Sequence, residues 1–235
     1  GALVNNNIIK VGKNGVGIYN KGATTGENGA NGVITLNGDY GIGMRYENAT
    51  GSIENKGKIE SSKLRAVGMS ASDGSNAVTN SSIIELSGQE SIGLHTDNKG
   101  TAGHAVTNTG TITLVDANDE DKPNIGIYSE HSSDVIVNNG KIEAGKNTLG
   151  IYGKAGGNIT LGASSETKVG DNGVAVFSTG GDITIANGAK LETGANNGVG
   201  VYYSGSNGTI TNNTDKITIG DKSFGFVIKG GTNNK

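Results

Sequence analysis

The strongest constraint on this chain is a short motif that returns nine times: an apolar residue, glycine, a second apolar residue, then a variable one. The copies are Val16-Gly17-Ile18-Tyr19, Ile42-Gly43-Met44-Arg45, Val67-Gly68-Met69-Ser70, Ile92-Gly93-Leu94-His95, Ile125-Gly126-Ile127-Tyr128, Leu149-Gly150-Ile151-Tyr152, Val174-Ala175-Val176-Phe177, Val199-Gly200-Val201-Tyr202 and Phe224-Gly225-Phe226-Val227. Their second positions lie 26, 25, 25, 33, 24, 25, 25 and 25 residues apart. A sustained period of this length marks a solenoid, whose units bury their apolar faces only by stacking. Leucine-rich repeats share the period but need a Leu-x-x-Leu-x-Leu pattern and a helical segment. Each unit here instead holds two further short runs bounded by Asn, Gly, Ser or Asp, such as Val135-Ile136-Val137 and Lys141-Ile142-Glu143. Three short strands per 25 residues predict an all-β, right-handed parallel β-helix of about nine coils, covering 1–235 as a single segment.

Composition agrees. Forty-two glycines without a Gly-X-Y period are not collagen, and ample Val and Ile with a net charge of −3 argue against disorder. That charge gives no basic footprint for nucleic acid. Cysteine is absent, which excludes a disulfide framework and thiolate chemistry. No apolar run approaches the roughly 20 residues of a membrane span.

Period-2 alternation predicts that Val16 and Ile18, with their equivalents, point inward, and that Gly17 and Tyr19 point outward. The glycines then form a groove of small residues beside an outward column Tyr19, Arg45, Ser70, His95, Tyr128, Tyr152, Phe177, Tyr202, Val227. Of the ten Tyr and Phe residues, five fall in this column, and Tyr128, Tyr152, Phe177 and Tyr202 occupy four successive coils. An aromatic ridge of this kind is a candidate binding site for a sugar face or an extended peptide, or else a stack that stiffens one face. Asn14-Gly15, Asn172-Gly173 and Asn197-Gly198 precede first strands, where corners need the left-handed region. A second set, Asn55, Asn80, Asn108, Asn138, Asn187 and Asn212, reads either as amides hydrogen-bonded along the axis or as ordinary turn residues. The long fourth interval places Asp116 to Pro123 in a protruding acidic loop, and whether it takes calcium stays open.

Catalytic motifs are missing: no P-loop, no His-Glu-x-x-His, no Gly-x-Ser-x-Gly. His95, His104 and His131 sit in different coils or corners, so no metal site and no cofactor are expected. The enzyme alternative is a β-helical polysaccharide lyase or hydrolase. Its candidate pair is Glu60 and Glu85, in an outward third-strand column read as Lys10, Thr35, Glu60, Glu85, Thr113, Glu143, Gly170, Glu192, Thr218. Lysines two residues earlier equally make this a solvated mixed-charge face. Thr-Ile-Thr at 111–113 and 209–211 lacks the regular two-threonine array of ice-binding β-helices.

Repeats such as Ile125-Gly126-Ile127-Tyr128 followed by Val137-Asn138-Asn139-Gly140-Lys141-Ile142, and again Leu149-Gly150-Ile151-Tyr152, resemble the passenger domains of type V autotransporters, especially the large fusobacterial outer-membrane adhesins of the RadD type. The resemblance implies export through a C-terminal β-barrel, display at the cell surface, and non-enzymatic adhesion to a host glycan, a host protein receptor or other bacteria. The alternative is a pure structural stalk with the binding tip elsewhere. With neither end capped, from Leu3-Val4 to the closing Gly230–Lys235, the chain reads as a monomeric fragment of a longer solenoid.

Overall fold

The computed structural model describes residues 1–22, 24–47, 50–73, 77–97, 99–100, 102–230 and 233–234, the last two by backbone alone. Among them there is no helix. Three nine-stranded parallel sheets run the length of the chain, and each coil contributes one strand to each sheet in turn. The fifth coil is representative: Ala105–Asn108, Thr111–Leu114 and Ile125–Ser129. The three sheets are named here for what their strands carry: the asparagine sheet, the charged sheet and the glycine sheet. A minor two-stranded pairing joins Asn207–Gly208 to Asn233–Asn234. The expected parallel β-solenoid of nine coils is thus the fold; of the closing stretch, Gly231, Thr232 and Lys235 lie outside the described residues.

Stacking makes the interior. Ile53, Val78, Val106, Ile136, Ile159 and Ile183 form one fully buried column, and Ile34, Ile59, Ile84, Ile112, Ile142 and Leu191, with buried Thr167 between the last two, another. Met44, Met69, Leu94, Ile127, Ile151, Val176 and Val201 supply the third. Each such aliphatic contributes roughly 1.5–3 kcal/mol on full burial.

The glycine sheet departs from simple alternation. Ile42 pairs with Val67 and Met44 with Met69, but the ladder skips Gly43 and Gly68. A Cβ on Gly43 would stand 2.8 Å from Cγ2 of the core residue Ile59 and 2.5 Å from the carbonyl oxygen of Gly68. The glycine therefore faces the interior, where nothing larger fits without displacement. The first apolar residue turns outward instead: Val16 is 37% exposed, and even Ile125, 8% exposed, lies apart from the core cluster. The expectation that Val16 and its equivalents point inward and Gly17 outward is corrected; Ile18 inward and Tyr19 outward stand. The reason is a bulge-like kink, which resets the side-chain alternation once per coil.

The corners obey local rules. Asn14, Asn147 and Asn172 precede glycine-sheet strands, and Asn197 lies at the irregular start of one, at φ values of 53–57°, the left-handed region that Asn tolerates. Tyr40, Arg65 and Glu90 hold the same corner at 53–60° without that tolerance. They interact along the axis: Arg65 bonds Glu90 at 2.7 Å and lies 5.7 Å from the Tyr40 ring centroid.

At the other corner the axial hydrogen-bonding alternative is realised. Asn5, Asn28, Asn55, Asn80, Asn108 and Asn138 form a ladder in which each side-chain amide donates to the next side-chain oxygen at 2.8–2.9 Å. Asn138 closes it by donating to Thr167 Oγ1. Asn5 and Asn28 extend the expected set. Asn187 does not belong, because Leu161 and then Ile185 occupy the column, and Asn212 is in register with Ile185 but exposed.

The inserted loop leaves the stack undisturbed. Residues 118–122 are exposed, while buried Asn124 accepts from the Ser91 amide and donates to Val115 O. Ile125 still pairs with Ile92 on one side and Leu149 on the other.

Candidate functional site

The outer face of the glycine sheet carries the most distinctive surface. The ladder places Tyr128, Tyr152, Phe177 and Tyr202 in one register column, as expected. His95 joins from the fourth coil. Ring centroids are 5.3 Å apart for His95–Tyr128, 5.2 Å for Tyr128–Tyr152 and 4.7 Å for Tyr152–Phe177, with interplanar angles of 18°, 16° and 11°. Centroid spacing follows the strand spacing of about 4.8 Å, so the column stacks face on face. Tyr202 breaks the pattern: it meets Phe177 edge-on, at 4.9 Å and 81°. The faces of the stacked rings are spent on one another, and what they present to solvent is their edges.

Polar groups line one flank. Glu130 meets His95 Nε2 at 3.0 Å and Lys154 Nζ at 3.2 Å, and that ammonium lies 5.9 Å from the Tyr128 centroid. Burial pushes the Glu130 carboxyl up, but His95 and Lys154 outweigh it and hold it below the usual range. Burial raises the Tyr128 phenol, and hydrogen bonding to Tyr128 and Glu130 raises the Lys154 ammonium. In the next coils this flank becomes Thr179 and Ser204, which are uncharged.

The other flank is not the expected groove of small residues. Gly126, Gly150, Ala175 and Gly200 are buried beneath the sheet surface. Beside the rings lie the outward aliphatics of the kink: Leu149, Val174 and Val199, half-buried, and Phe224, 57% exposed. From the fifth coil to the ninth both columns are apolar. Before that, Arg45, Ser70 and His95 interrupt the aromatic one, and Arg45 is engaged with Glu47 at 3.4 Å and Ser70 at 3.2 Å.

On the charged sheet, Glu60 and Glu85 are axial neighbours. Lys58 sits between them, 2.8 Å from Glu60 and 2.9 Å from Glu85. That hydrogen bond, aided by Thr35, holds the Glu60 carboxyl below the ordinary range, the reverse of what a general acid needs. The column then runs through Glu143, Lys168 and Glu192. Lys168, not Gly170, is the outward residue of the seventh coil, because the strand there is Glu166–Val169. Lys141–Glu143, Lys168–Glu192 and Lys190–Glu166 complete an open ion-paired face.

Reading the sequence missed one polar centre, which is buried. Asp134 Oδ1 accepts from the His104 backbone amide at 2.7 Å and lies 3.2 Å from its Nδ1, while Oδ2 takes the hydroxyls of Thr96 and Ser129 at 2.5 Å. Burial pushes the carboxyl up, but these bonds together hold it below its usual value. His131, by contrast, only accepts the Ser133 amide at a turn. The column positions of Thr96 and Ser129, inward on the glycine sheet, were the available signal. Among the described residues no three His, Asp or Glu side chains are grouped to hold a metal ion.

No family model matches the chain, and neither does any curated protein or solved structure.

Proposed function

We propose that this chain is a stretch of a surface-displayed adhesin passenger, of the type V autotransporter kind that its repeats resemble, and that it attaches to host or bacterial ligands without catalysis. One observation carries the reading. The other two faces are mostly ion-paired or polar, with exposed apolar residues such as Ile83 and Val135 only scattered among them, whereas the outward columns of the glycine sheet are apolar over five successive coils, centred on Tyr128, Tyr152, Phe177 and Tyr202. Contiguous exposed apolar surface of this kind marks interaction sites, because it costs solubility and contributes nothing to the core. Cell-binding, receptor-binding and glycan-array assays test it. Tyr152→Ala and Tyr202→Ala should reduce attachment by a binding-competent segment while circular dichroism stays unchanged; attachment that survives both substitutions removes the ridge from the account.

The ring geometry favours a second reading, a pure stalk. Each stacked pair contributes about 0.5–1.5 kcal/mol beyond its burial, so the ridge also stiffens the rod. Deletion of two whole coils leaves adhesion intact on that reading and abolishes it on the first.

A further inference from the structure

We infer that the chain carries two sites of self-modification, Asn187 and Asn37, where the side-chain amide is lost spontaneously and a carboxylate takes its place. Asparagine followed by glycine occurs nine times, at 14, 28, 31, 37, 139, 172, 187, 197 and 207. Glycine lacks the Cβ that would obstruct the approach of its own backbone nitrogen to the preceding side chain. That nitrogen attacks Cγ of the asparagine. A new C–N bond closes a five-membered succinimide, the bond to the side-chain nitrogen breaks, and ammonia leaves with the proton of the attacking amide. Water then opens the ring at either carbonyl, giving aspartate or its β-linked isomer. No other reactant is consumed, but the glycine amide must be free to attack.

The fold decides which amides are free. Gly15 N donates to Gly12 O at 3.1 Å, Gly29 N to Asn5 O at 2.8 Å, Gly32 N to Gly29 O at 2.7 Å, Gly140 N to Asn108 O at 3.0 Å, Gly173 N to Gly170 O at 3.1 Å and Gly198 N to Ser223 Oγ at 2.9 Å. An amide held in this way is released only by local opening. Asn172 and Asn197 are held twice, since their side chains also bond along the axis. Gly208 is tied into the minor two-stranded pairing. That leaves Gly38 and Gly188, whose amides donate to no group among the described residues. The asparagines before them are exposed and make no side-chain hydrogen bond there. Asn187 is the better placed. Its turn closes through Ala189 N and Ala186 O at 3.1 Å, which leaves the Gly188 amide out, and Gly188 itself is exposed. Gly38 is half-buried, and a Cβ on it would stand 2.1 Å from Lys13 N, so its backbone has less room to swing. Asn187 therefore reacts first and Asn37 second.

Each event adds one negative charge at a corner without reaching the core. Ile185 and Ala189 stay buried on either side of the modified turn. A carboxylate at 37 joins Glu60 and Glu85 around one shallow groove. The left-handed corners at Asn14, Asn172 and Asn197 are spared by the hydrogen bonds of the glycines that follow them. The surface thus grows more acidic with age while the stack is unchanged, whether the rod binds a ligand or only supports one.

Incubation of the full chain in mildly alkaline buffer, followed by peptide mapping, reads each site through the mass shift from amide to acid. Asn187 should lead, Asn37 should follow, and the six sites with bonded amides should react at least tenfold more slowly than Asn187. In urea, where no amide is held, all nine should converge to within a few-fold, and the circular dichroism of the aged folded chain should match that of the fresh one. Reaction at Asn139 or Asn172 as fast as at Asn187 in the folded chain overturns the inference. So does a tenfold spread that persists in urea, because local sequence rather than the fold would then set the rates.

Discussion

Replacing Asn80 with alanine should cost about 3–5 kcal/mol, far more than its size implies. Asn80 is fully buried in the middle of the amide ladder. It accepts from Asn55 at 2.9 Å and donates to Asn108 at 2.8 Å and to Ser82 O at 3.1 Å. Alanine removes all three, together with a long 3.5 Å contact to Thr111 O. Asn55 keeps its bond to Ile83 O, and Ser82 O keeps the Thr111 amide, so those groups are only partly deprived. Asn108 Oδ1 loses its one donor and stays sealed from water. Counting about 1 kcal/mol for each of two ladder bonds and about 1–3 kcal/mol for the orphaned oxygen gives the stated sum. Its neighbour Thr79 faces outward, and Thr79→Ala should change stability by less than about 0.5 kcal/mol. Urea unfolding of the two variants side by side measures the difference, and amide exchange should show lost protection concentrated in the third to fifth coils. An Asn80→Ala variant within about 1 kcal/mol of Thr79→Ala would refute the claim that the ladder, rather than aliphatic stacking alone, holds this corner.

The kink in the glycine sheet predicts an asymmetry: Gly68→Ala, whose Cβ would stand 2.6 Å from Gly93 O, should lose about 1–3 kcal/mol by overpacking, while Ala175→Gly should lose no more than about 1 kcal/mol, both read from denaturation midpoints. Asp134, held below the ordinary carboxylate range, contributes stability that is complete above its unfolded value of about 3.9 and is lost as pH falls through its folded value; Asp134→Asn should flatten the acid side of the thermal-stability profile. Ile127→Asp buries a charge amid stacked aliphatics and should unfold several neighbouring coils together, seen as a block of lost amide protection. The wild-type chain, Glu60→Gln and Glu85→Gln should all leave polysaccharide substrates untouched; product release by the wild-type chain that either substitution abolishes would revive the enzyme alternative.

The repeat made the coil count and the aromatic column legible, because both depend on spacing alone. Orientation was harder. Val16-Gly17-Ile18 satisfies period-2 alternation perfectly, yet the kink at Gly17 turns Val16 outward, and no spacing records a kink. The asparagine ladder was half-visible: Asn80 and Asn108 recur at equivalent places, but Asn187 lies two residues past its column, which Ile185 fills. Gly170 misled for a similar reason, since the unit from Leu149 has a shifted third strand, Glu166–Val169. The buried centre joins two corner residues, His104 and Asp134, which precede paired asparagine-sheet strands in adjacent coils, to Thr96 and Ser129 of the glycine sheet, so only three-dimensional register brings it together.

The eight extra residues at one corner show where this architecture accepts change. Asn124 and Ile125 resume their bonds as though the intervening chain were absent. A corner that already closes over such an excursion is a natural cloning site. Foreign epitopes or a second binding loop grafted between Asn118 and Lys122 would ride on the rod without perturbing its pitch, and lineages carrying such folds can diversify at their corners while the barrel of stacked strands stays under strict constraint.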